Sequence, residues 1–407
     1  MSITRTSGSP KRISTRLLLA KSEQANVPSE KVLVTGGAGF IGSHLVPALV
    51  SMGHEVRVLD NLSPQIHGAL PQGLGWLEGN GIGFVRGSVC DRAVLTAALK
   101  GVDAVVHLAA ETGTGQSMYE VSRYSEVNVG GTANLLDVLT NEPGLQVKRV
   151  VLASSRSIYG EGAYVCETCA DGLRHAPDPR SPEELAAHRW EPVCPACGWA
   201  LAAVPTRESD AVKPASIYAA TKYAQEDLVR IGCSSLGIGY VILRLQNVYG
   251  EGQSLNNPYT GILSIFSTRV RRGLHLPIFE DGLETRDFVH VEDVANAFIS
   301  GLTSAEPANC VINVGSGERT TVLEIATHLS EAFGAPPDLK TTAQFRVGDI
   351  RHNCADIGRL KAILEYSPKV TLAEGMQRFA SWVKTQDLPE DRLDKANEEL
   401  RARKLMG

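Results

Sequence analysis
A chain of 407 residues can bury a large core and has room for more than one domain. Its composition, 43% hydrophobic and 21% charged, is ordinary for a water-soluble enzyme. A net charge of −5 and a pI near 6.1 argue against general affinity for nucleic acid or for a membrane surface, and no run of eighteen apolar residues exists to span a bilayer.

The first 29 residues are polar and basic (Arg5, Lys11, Arg12, Arg16, Lys21), with only residues 17–20 continuously apolar. That run is too short for the apolar core of a secretory signal, so a flexible extension is expected. A transit peptide or a partner-binding arm stays open. Residues 31–34 then read as a short buried strand, followed by Gly36, Gly39 and Gly42 and by a helix over 43–50. Gly36 permits the tight turn, Gly39 lets the backbone approach a pyrophosphate, and Gly42 lets the helix lie close on the strand. The helix N-terminus offers free N–H groups to phosphates. A second strand over 55–60 ends in Asp60, where a carboxylate would hold the two ribose hydroxyls and repel a 2′-phosphate. Asn61 adds no cation there, so NAD is expected rather than NADP.

After a glycine-rich stretch over 68–83 come a third strand (82–86), Asp91, and a helix to about residue 100. A fourth strand covers 104–110, and the loop 111–117 at its carboxyl end should face the ligand, as in open parallel sheets. A helix over 124–139 leads to a fifth strand at 149–153, ending in Ser154 and Ser155. Strands alternating with helices in this way specify an α/β, doubly wound parallel sheet of the Rossmann kind.

Tyr218 and Lys222 lie four residues apart on a helix predicted over 216–231, so both project from one face. A phenol titrates near ~10, too high for a base at neutral pH. An adjacent ammonium favours the phenolate and lowers that value. Ser155, at the end of the fifth strand, is placed to hydrogen-bond the same substrate oxygen.

With these motifs, together with His107-Leu-Ala-Ala110, Asn128-Val-Gly-Gly-Thr132, Asn247-Val-Tyr-Gly250 and Thr285-Arg286-Asp-Phe-Val-His-Val-Glu-Asp293, the chain resembles the extended short-chain dehydrogenase/reductases of the nucleotide-sugar epimerase/dehydratase family over roughly residues 30–384. The resemblance implies Tyr218 as catalytic base, with Lys222 and Ser155 as its partners. It implies an NAD site made by Gly36, Gly39, Phe40, Ile41, Gly42, Asp60, Asn61, Asp91, Leu108, Ala109, Ala110 and Asn128, with Tyr218 and Lys222. For a nucleotide-sugar substrate it implies Gly115, Ser117, Ser155, Arg156, Asn247, Ile278, Arg286 and Arg351, and guanidinium forks do match phosphate oxygens. The expected division is an NAD-binding domain over 30–160, 206–250 and 285–302 and a smaller α/β nucleotide-sugar domain over 251–284 and 303–385. The stretch 386–407 reads as a charged, solvated terminal helix. A homodimer through the helices after the fourth and fifth strands is also expected from the resemblance.

Dehydratases of the family carry an Asp-Glu pair directly after the serine or threonine of the fifth strand; here Arg156 and Ser157 stand there. Dehydration is thereby disfavoured, and transient oxidation at C4 of the sugar followed by reduction from the other face is expected. A nucleotide-sugar reductase or a decarboxylase-type oxidoreductase stays open, as does a catalytically silent NAD-sensing protein.

Between Gly160 and Ser216 the family pattern is interrupted by Cys166-Glu-Thr-Cys169 and Cys194-Pro-Ala-Cys197, separated by a little over twenty residues. Two such pairs make a Cys₄ zinc ribbon, here expected over 161–205, and four thiolates leave no open coordination position, so the zinc is expected to be structural. Four of the eight cysteines used this way point to a reducing compartment and a cytoplasmic location. With the insertion and the segments 111–119 and 154–160, the chain most resembles the dTDP-L-rhamnose 4-epimerase subgroup, which interconverts dTDP-L-rhamnose and dTDP-6-deoxy-L-talose; a UDP-sugar 4-epimerase is the alternative.

Overall fold
Val32, Leu33 and Val34 have no solvent exposure, because the strand that carries them, β1 (Lys31–Thr35), runs through the middle of a parallel sheet. The computed structural model describes residues 29–68, 74–79, 81–170, 172–255, 261–304, 309–388, 390–391 and 393–407. Apart from Ser29, the expected N-terminal extension lies outside them. The sheet consists of β1, β2 (Glu55–Asp60), β3 (Ile82–Arg86), β4 (Ala104–His107), β5 (Arg149–Ser155), β6 (Gly239–Leu245) and β7 (Cys310–Val314), in the order β3-β2-β1-β4-β5-β6-β7. All six pairings are parallel, with Lys31 opposite Glu55 on one side of β1 and Val32 opposite Ala104 on the other. The chain reverses its direction of travel across the sheet between β1 and β4, the switch point where such sheets open a crevice.

Because side chains alternate along a strand, the two faces of the sheet make separate cores. Val32 and Val34 pack with Leu45, Val46 and Leu49 of α1 (Phe40–Ser51) and with Val294, Ala297 and Phe298 of α6 (Val291–Thr303). Leu33, Val105, Val150 and Leu152 pack instead with α2 (Arg92–Leu99), α3 (Gly131–Asn141) and α4 (Ile217–Leu236). Helix α4 runs five residues beyond its predicted end. It stops where Gly237 adopts a left-handed φ of 66°.

A third core holds the smaller region together. Leu263 and Phe266 of α5 (Ile262–Arg271), Ile325 and Leu329 of α7 (Val322–Phe333) and Met376 and Phe379 of α8 (Leu372–Lys384) surround a two-stranded parallel ribbon, Leu276–Ile278 with Leu339–Thr341. The boundary expected at residue 303 is corrected here. Cys310–Val314 pairs with Val241 to Leu245 and so completes the large sheet, and Leu360, Leu364 and Tyr366 join the same core as β1.

The insertion forms its own small unit. Tyr164–Val165 pairs antiparallel with Ala202–Ala203, and Tyr164, Cys166, Cys194 and Leu201 make a local core. The chain ends in α9 (Leu393–Ala402), whose Leu393, Ala396, Asn397 and Leu400 are buried. The expectation of a solvated tail is therefore corrected. Leu393, Ala396 and Leu400 recur at three- and four-residue intervals and form a stripe that packs inward.

Candidate active site
The turn between β1 and α1 explains two of its glycines by space alone. Gly36 has a φ of 67°, and a Cβ there would sit 2.7 Å from the backbone nitrogen of Ala109 at the end of β4. A Cβ on Gly42 would lie 2.2 Å from the Gly37 carbonyl, so only glycine lets the first turn of α1 pack against the turn that leaves β1. Gly39 is the N-cap of α1 and supplies no side-chain cap, which leaves the first N–H groups of the helix open toward the crevice. Asp60 closes the same corner: its carboxylate accepts from Ala38 N at 3.1 Å and from Leu62 N at 2.8 Å, and it faces the crevice. These are the features a dinucleotide pyrophosphate and ribose require, so the residues present fit NAD.

One continuous cleft runs from this corner across the carboxyl ends of the strands. Gly36, Gly39, Phe40, Ile41, Gly42, Asp60, Asn61, Leu108, Ala109 and Ala110 all line it, and so do Ser155, Arg156, Tyr218, Asn247 and Arg286. Helix α4 brings Tyr218 in. The Ser216 hydroxyl caps its start by accepting from Ala219 N, and the Ser117 hydroxyl accepts from Tyr218 N at 3.0 Å. The Tyr218 ring stands edge-on to Tyr124, 6.4 Å between centroids, and Tyr124 Oη donates to Thr112 O at 2.6 Å. Burial raises the Tyr218 pKa, while hydrogen bonding with Ser155 and the nearby Arg156 charge pull it back.

Lys222 is arranged differently from the expectation. Its ammonium is buried behind the cleft and donates to Ala153 O at 3.0 Å, and burial pushes its pKa down to about 7, partly opposed by Glu226. Glu226 is itself engaged by Arg244, Nη2 to Oε2 at 2.7 Å, and Arg244 also donates to Tyr159 Oη at 2.7 Å. The guanidinium acting on the phenol is that of Arg156, which stands where dehydratases carry an acid. Arg156 Nε donates to Asn247 Oδ1 at 3.0 Å, and burial followed by the neighbouring Arg286 lowers its pKa to about 10.

Several expected ligands turn out to hold the scaffold. The Asp91 carboxylate caps α2, accepting from Ala93 N and Val94 N, while Ser88 and Val89 line the cleft instead. Asn128 is buried and clamps Glu111 through its N–H and carbonyl, and donates to Thr221 Oγ1 at 3.0 Å. Ile278 points into the third core; its neighbours Pro277 and Phe279, on the opposite side of the strand, line the cleft. Of the loop after β4, Glu111 to Thr114 line the cleft, whereas Gly115 and Ser117 do not.

Arg351 is the largest correction. It is 1% exposed, and its guanidinium meets Glu191 at 2.7 Å, Asp281 at 2.6 Å and Glu280 at 3.2 Å. A cation so surrounded by carboxylates has no charge left for a phosphate. Arg346, five residues earlier, lines the cleft instead, with its side chain over the Phe279 ring. The segment is neither helix nor strand, so no periodicity in the sequence separates the two arginines. Together Arg156, Arg286 and Arg346 surround Asp349. Burial would raise the Asp349 pKa, but the guanidiniums of Arg286, Arg346, Arg156 and Arg180 hold it below the ordinary carboxylate range.

The four sulfurs of Cys166, Cys169, Cys194 and Cys197 lie within 4.8 Å of one another. Cys166 and Cys197 approach to 3.6 Å and Cys169 and Cys194 to 3.8 Å, whereas sulfurs around a tetrahedral zinc at a Zn–S distance of about 2.3 Å would be about 3.8 Å apart. The donor set therefore fits a closed four-thiolate site. Among the described residues no helix is long and apolar enough to cross a membrane.

The profile of the NAD dependent epimerase/dehydratase family matches residues 32–182 and 196–315. The chain belongs to that family. The gap in the match falls within the cysteine-bearing insertion, between Pro182 and Ala196. A dTDP-L-rhamnose 4-epimerase of Burkholderia thailandensis is 38% identical over 360 residues, 88% of this chain and 96% of the relative. Among solved structures, the UDP-glucose 4-epimerase of Thermotoga maritima with UDP-glucose aligns with a TM-score of 0.69 at 29% identity, over 87% of this chain and 98% of the other. The UDP-glucuronic acid 4-epimerase of Bacillus cereus with UDP-glucuronic acid and NAD gives 0.70 at 26% identity, over 87% and 99%. This chain is thus an enzyme of the epimerase family, built around an NAD-type crevice.

Proposed function
We propose that the protein is an NAD-dependent nucleotide-sugar 4-epimerase and that its substrate pair is dTDP-L-rhamnose and dTDP-6-deoxy-L-talose. One observation carries the reading: Ser155 and Tyr218 open into the same cleft as the glycine turn and Asp60, and Arg156, Arg286 and Arg346 gather further along it. A dinucleotide fits the first corner, a sugar the middle, and an anionic diphosphate the cationic end. The glycine turn and Asp60 would hold NAD, which would supply a hydride acceptor for the sugar carbon and, on return of the hydride to the opposite face, would be regenerated at each turnover.

The chain's own residues do the rest. Tyr218 takes the proton of the C4 hydroxyl and later restores it, with Ser155 Oγ holding the same oxygen. The Arg156 charge favours the phenolate at that moment, while Lys222 donates to Ala153 O, two residues before Ser155 on β5, and so braces the strand end that carries Ser155. No carboxylic acid follows Ser155, and this favours epimerisation over loss of water. The similarity to the Burkholderia enzyme favours a thymidine-linked 6-deoxy sugar. We assign Cys166, Cys169, Cys194 and Cys197 to one structural zinc. We assign a homodimer to the face of α3 and α4, where Tyr223 and Ile231 are exposed.

Incubation of the full-length protein with dTDP-L-rhamnose, UDP-glucose and UDP-glucuronic acid, followed by NMR of the products, tests this. Interconversion of the thymidine sugar without net NADH is expected. Turnover of a UDP-sugar alone would transfer the assignment to that class, and stoichiometric NADH would replace epimerase by oxidoreductase.

A further inference from the structure
The end of the chain is built into the segment that carries Arg346. Phe345 and Gly407 exchange backbone hydrogen bonds at 3.0 and 3.1 Å, and Val347 N donates to Leu405 O at 3.0 Å. From α9, Asn397 Oδ1 accepts from Arg346 Nη2 at 3.2 Å, and Asn397 is only 4% exposed. On its other side the tail meets the loop after β4: Leu400 lies against Gly115, and the Arg403 guanidinium sits 4.3 Å from the centre of the Tyr119 ring. The insertion supports the same segment from a second direction, with Arg180 Nη2 donating to Asp349 O at 3.0 Å.

The chemistry of these contacts is selective. Arg351 is neutralised by several carboxylates, whereas α9 offers Arg346 a neutral amide oxygen, and the carboxylate near Arg346, that of Asp349, is shared with Arg286, Arg156 and Arg180. A neutral acceptor orients a guanidinium without cancelling its charge. Arg346 Nε is buried and has no hydrogen-bond partner among the described residues, so the group retains unused donor capacity.

We propose that the C-terminal segment is part of the substrate site and that Asn397 is a positioning residue, holding Arg346 so that its charge faces the diphosphate of the nucleotide. The inference rests on the nucleotide-sugar reading of the cleft. It extends the site to a segment beyond the stretch matched by the family profile.

The test measures the dissociation constants of thymidine diphosphate and uridine diphosphate by calorimetry on the NAD-loaded full-length protein. Asn397→Leu removes the acceptor and is expected to weaken the preferred diphosphate about tenfold, as loss of one hydrogen bond to a charged group would. Asn397→Asp keeps an acceptor but cancels the Arg346 charge, and it too is expected to weaken binding while leaving the thermal midpoint unchanged or raised. In an Arg346→Gln background, Asn397→Leu should cause no further loss, because both act through one guanidinium. Unchanged binding in Asn397→Asp, or additive losses in the double variant, would overturn the inference. If the unmodified protein binds neither diphosphate, the nucleotide-sugar reading itself fails and this inference goes with it.

Discussion

Ser117 Oγ accepts the backbone N–H of Tyr218 at 3.0 Å and donates to Thr114 O at 2.6 Å. The loop that leaves β4 thus caps the helix that carries the proposed base. Tyr218 N is among the first N–H groups of α4, which have no partner within the helix. Ser117→Ala should cost about 1 kcal/mol of stability, as other helix caps do. Because the cap sets where the Tyr218 backbone starts, kcat should fall more than KM rises. Denaturant unfolding beside steady-state kinetics checks both, and a change confined to KM would make Ser117 a substrate contact instead.

Tyr218→Phe removes the hydroxyl and keeps the ring against Tyr124. Turnover should drop by about a thousandfold, the scale of a lost general base, with bound NAD and diphosphate affinity retained. Cofactor content read from absorbance, beside the rate, separates lost chemistry from lost folding. Measurable turnover near the wild-type rate would remove Tyr218 from the mechanism.

Arg351 and Arg346 should behave as opposites. Arg351→Gln leaves the buried Glu280 and the nearby Asp281 and Glu191 without their shared cation. A loss of about 3 kcal/mol is expected, the scale found when one partner of a buried ion pair is removed. At a temperature where the variant is folded, KM should stay close to that of the unmodified protein. A large rise in KM with intact stability would return Arg351 to the substrate.

The four-thiolate site predicts one zinc per chain by elemental analysis. Cys169→Ser should release it and lower the thermal midpoint by about 5 °C, since a structural metal contributes its binding energy to folding. Bound NAD should be unaffected, because the glycine turn lies in a different part of the fold. Full zinc content in that variant would show that the metal sits elsewhere.

Glu284 lines the cleft, and burial raises its pKa to about 7, against the opposing pull of a backbone hydrogen bond and Arg286. A carboxyl whose folded pKa is raised stabilises the fold in its neutral form. Its contribution is therefore full below the ordinary value of about 4.3 and declines as the pH rises toward about 7. Glu284→Gln should remove this decline, stabilising the substrate-free protein at pH 8 by on the order of 2 kcal/mol relative to pH 4. Thermal midpoints of both proteins across that range decide it, and parallel curves would refute it.

Much of the architecture was written in local pattern. The run from Lys31 to Gly42 specifies strand, turn and helix: the positive φ of Gly36 and the contact of Gly42 with the Gly37 carbonyl are local demands, although the backbone that crowds Gly36, that of Ala109, comes from beyond β4. Asp60, Ser155 and Tyr218 could be placed the same way: each sits at a strand end or on the first turn of a helix, and the parallel sheet brings such positions to one edge. The Cys-x-x-Cys pairs were equally plain, since two sulfurs three residues apart already form half of a tetrahedral site.

Other assignments depended on which way a side chain turned once the chain was packed. Arg346 and Arg351 have the same chemistry and similar sequence surroundings, and only the carboxylates of Glu191, Glu280 and Asp281, brought from far along the chain, neutralise one and leave the other facing the cleft. Ile278 and its neighbours were divided between core and cleft by the pleat of a strand whose register is set by Leu339–Thr341. The terminal helix reads as solvated from its charge, yet the stripe of Leu393, Ala396 and Leu400 is buried against partners that only folding supplies. Sequence by itself determined the elements and the chemistry at their ends, because those depend on contacts a few residues away. The choice among equivalent charges, and the place of the tail, fell to the tertiary structure, because electrostatic neutralisation and burial are made by residues distant along the chain.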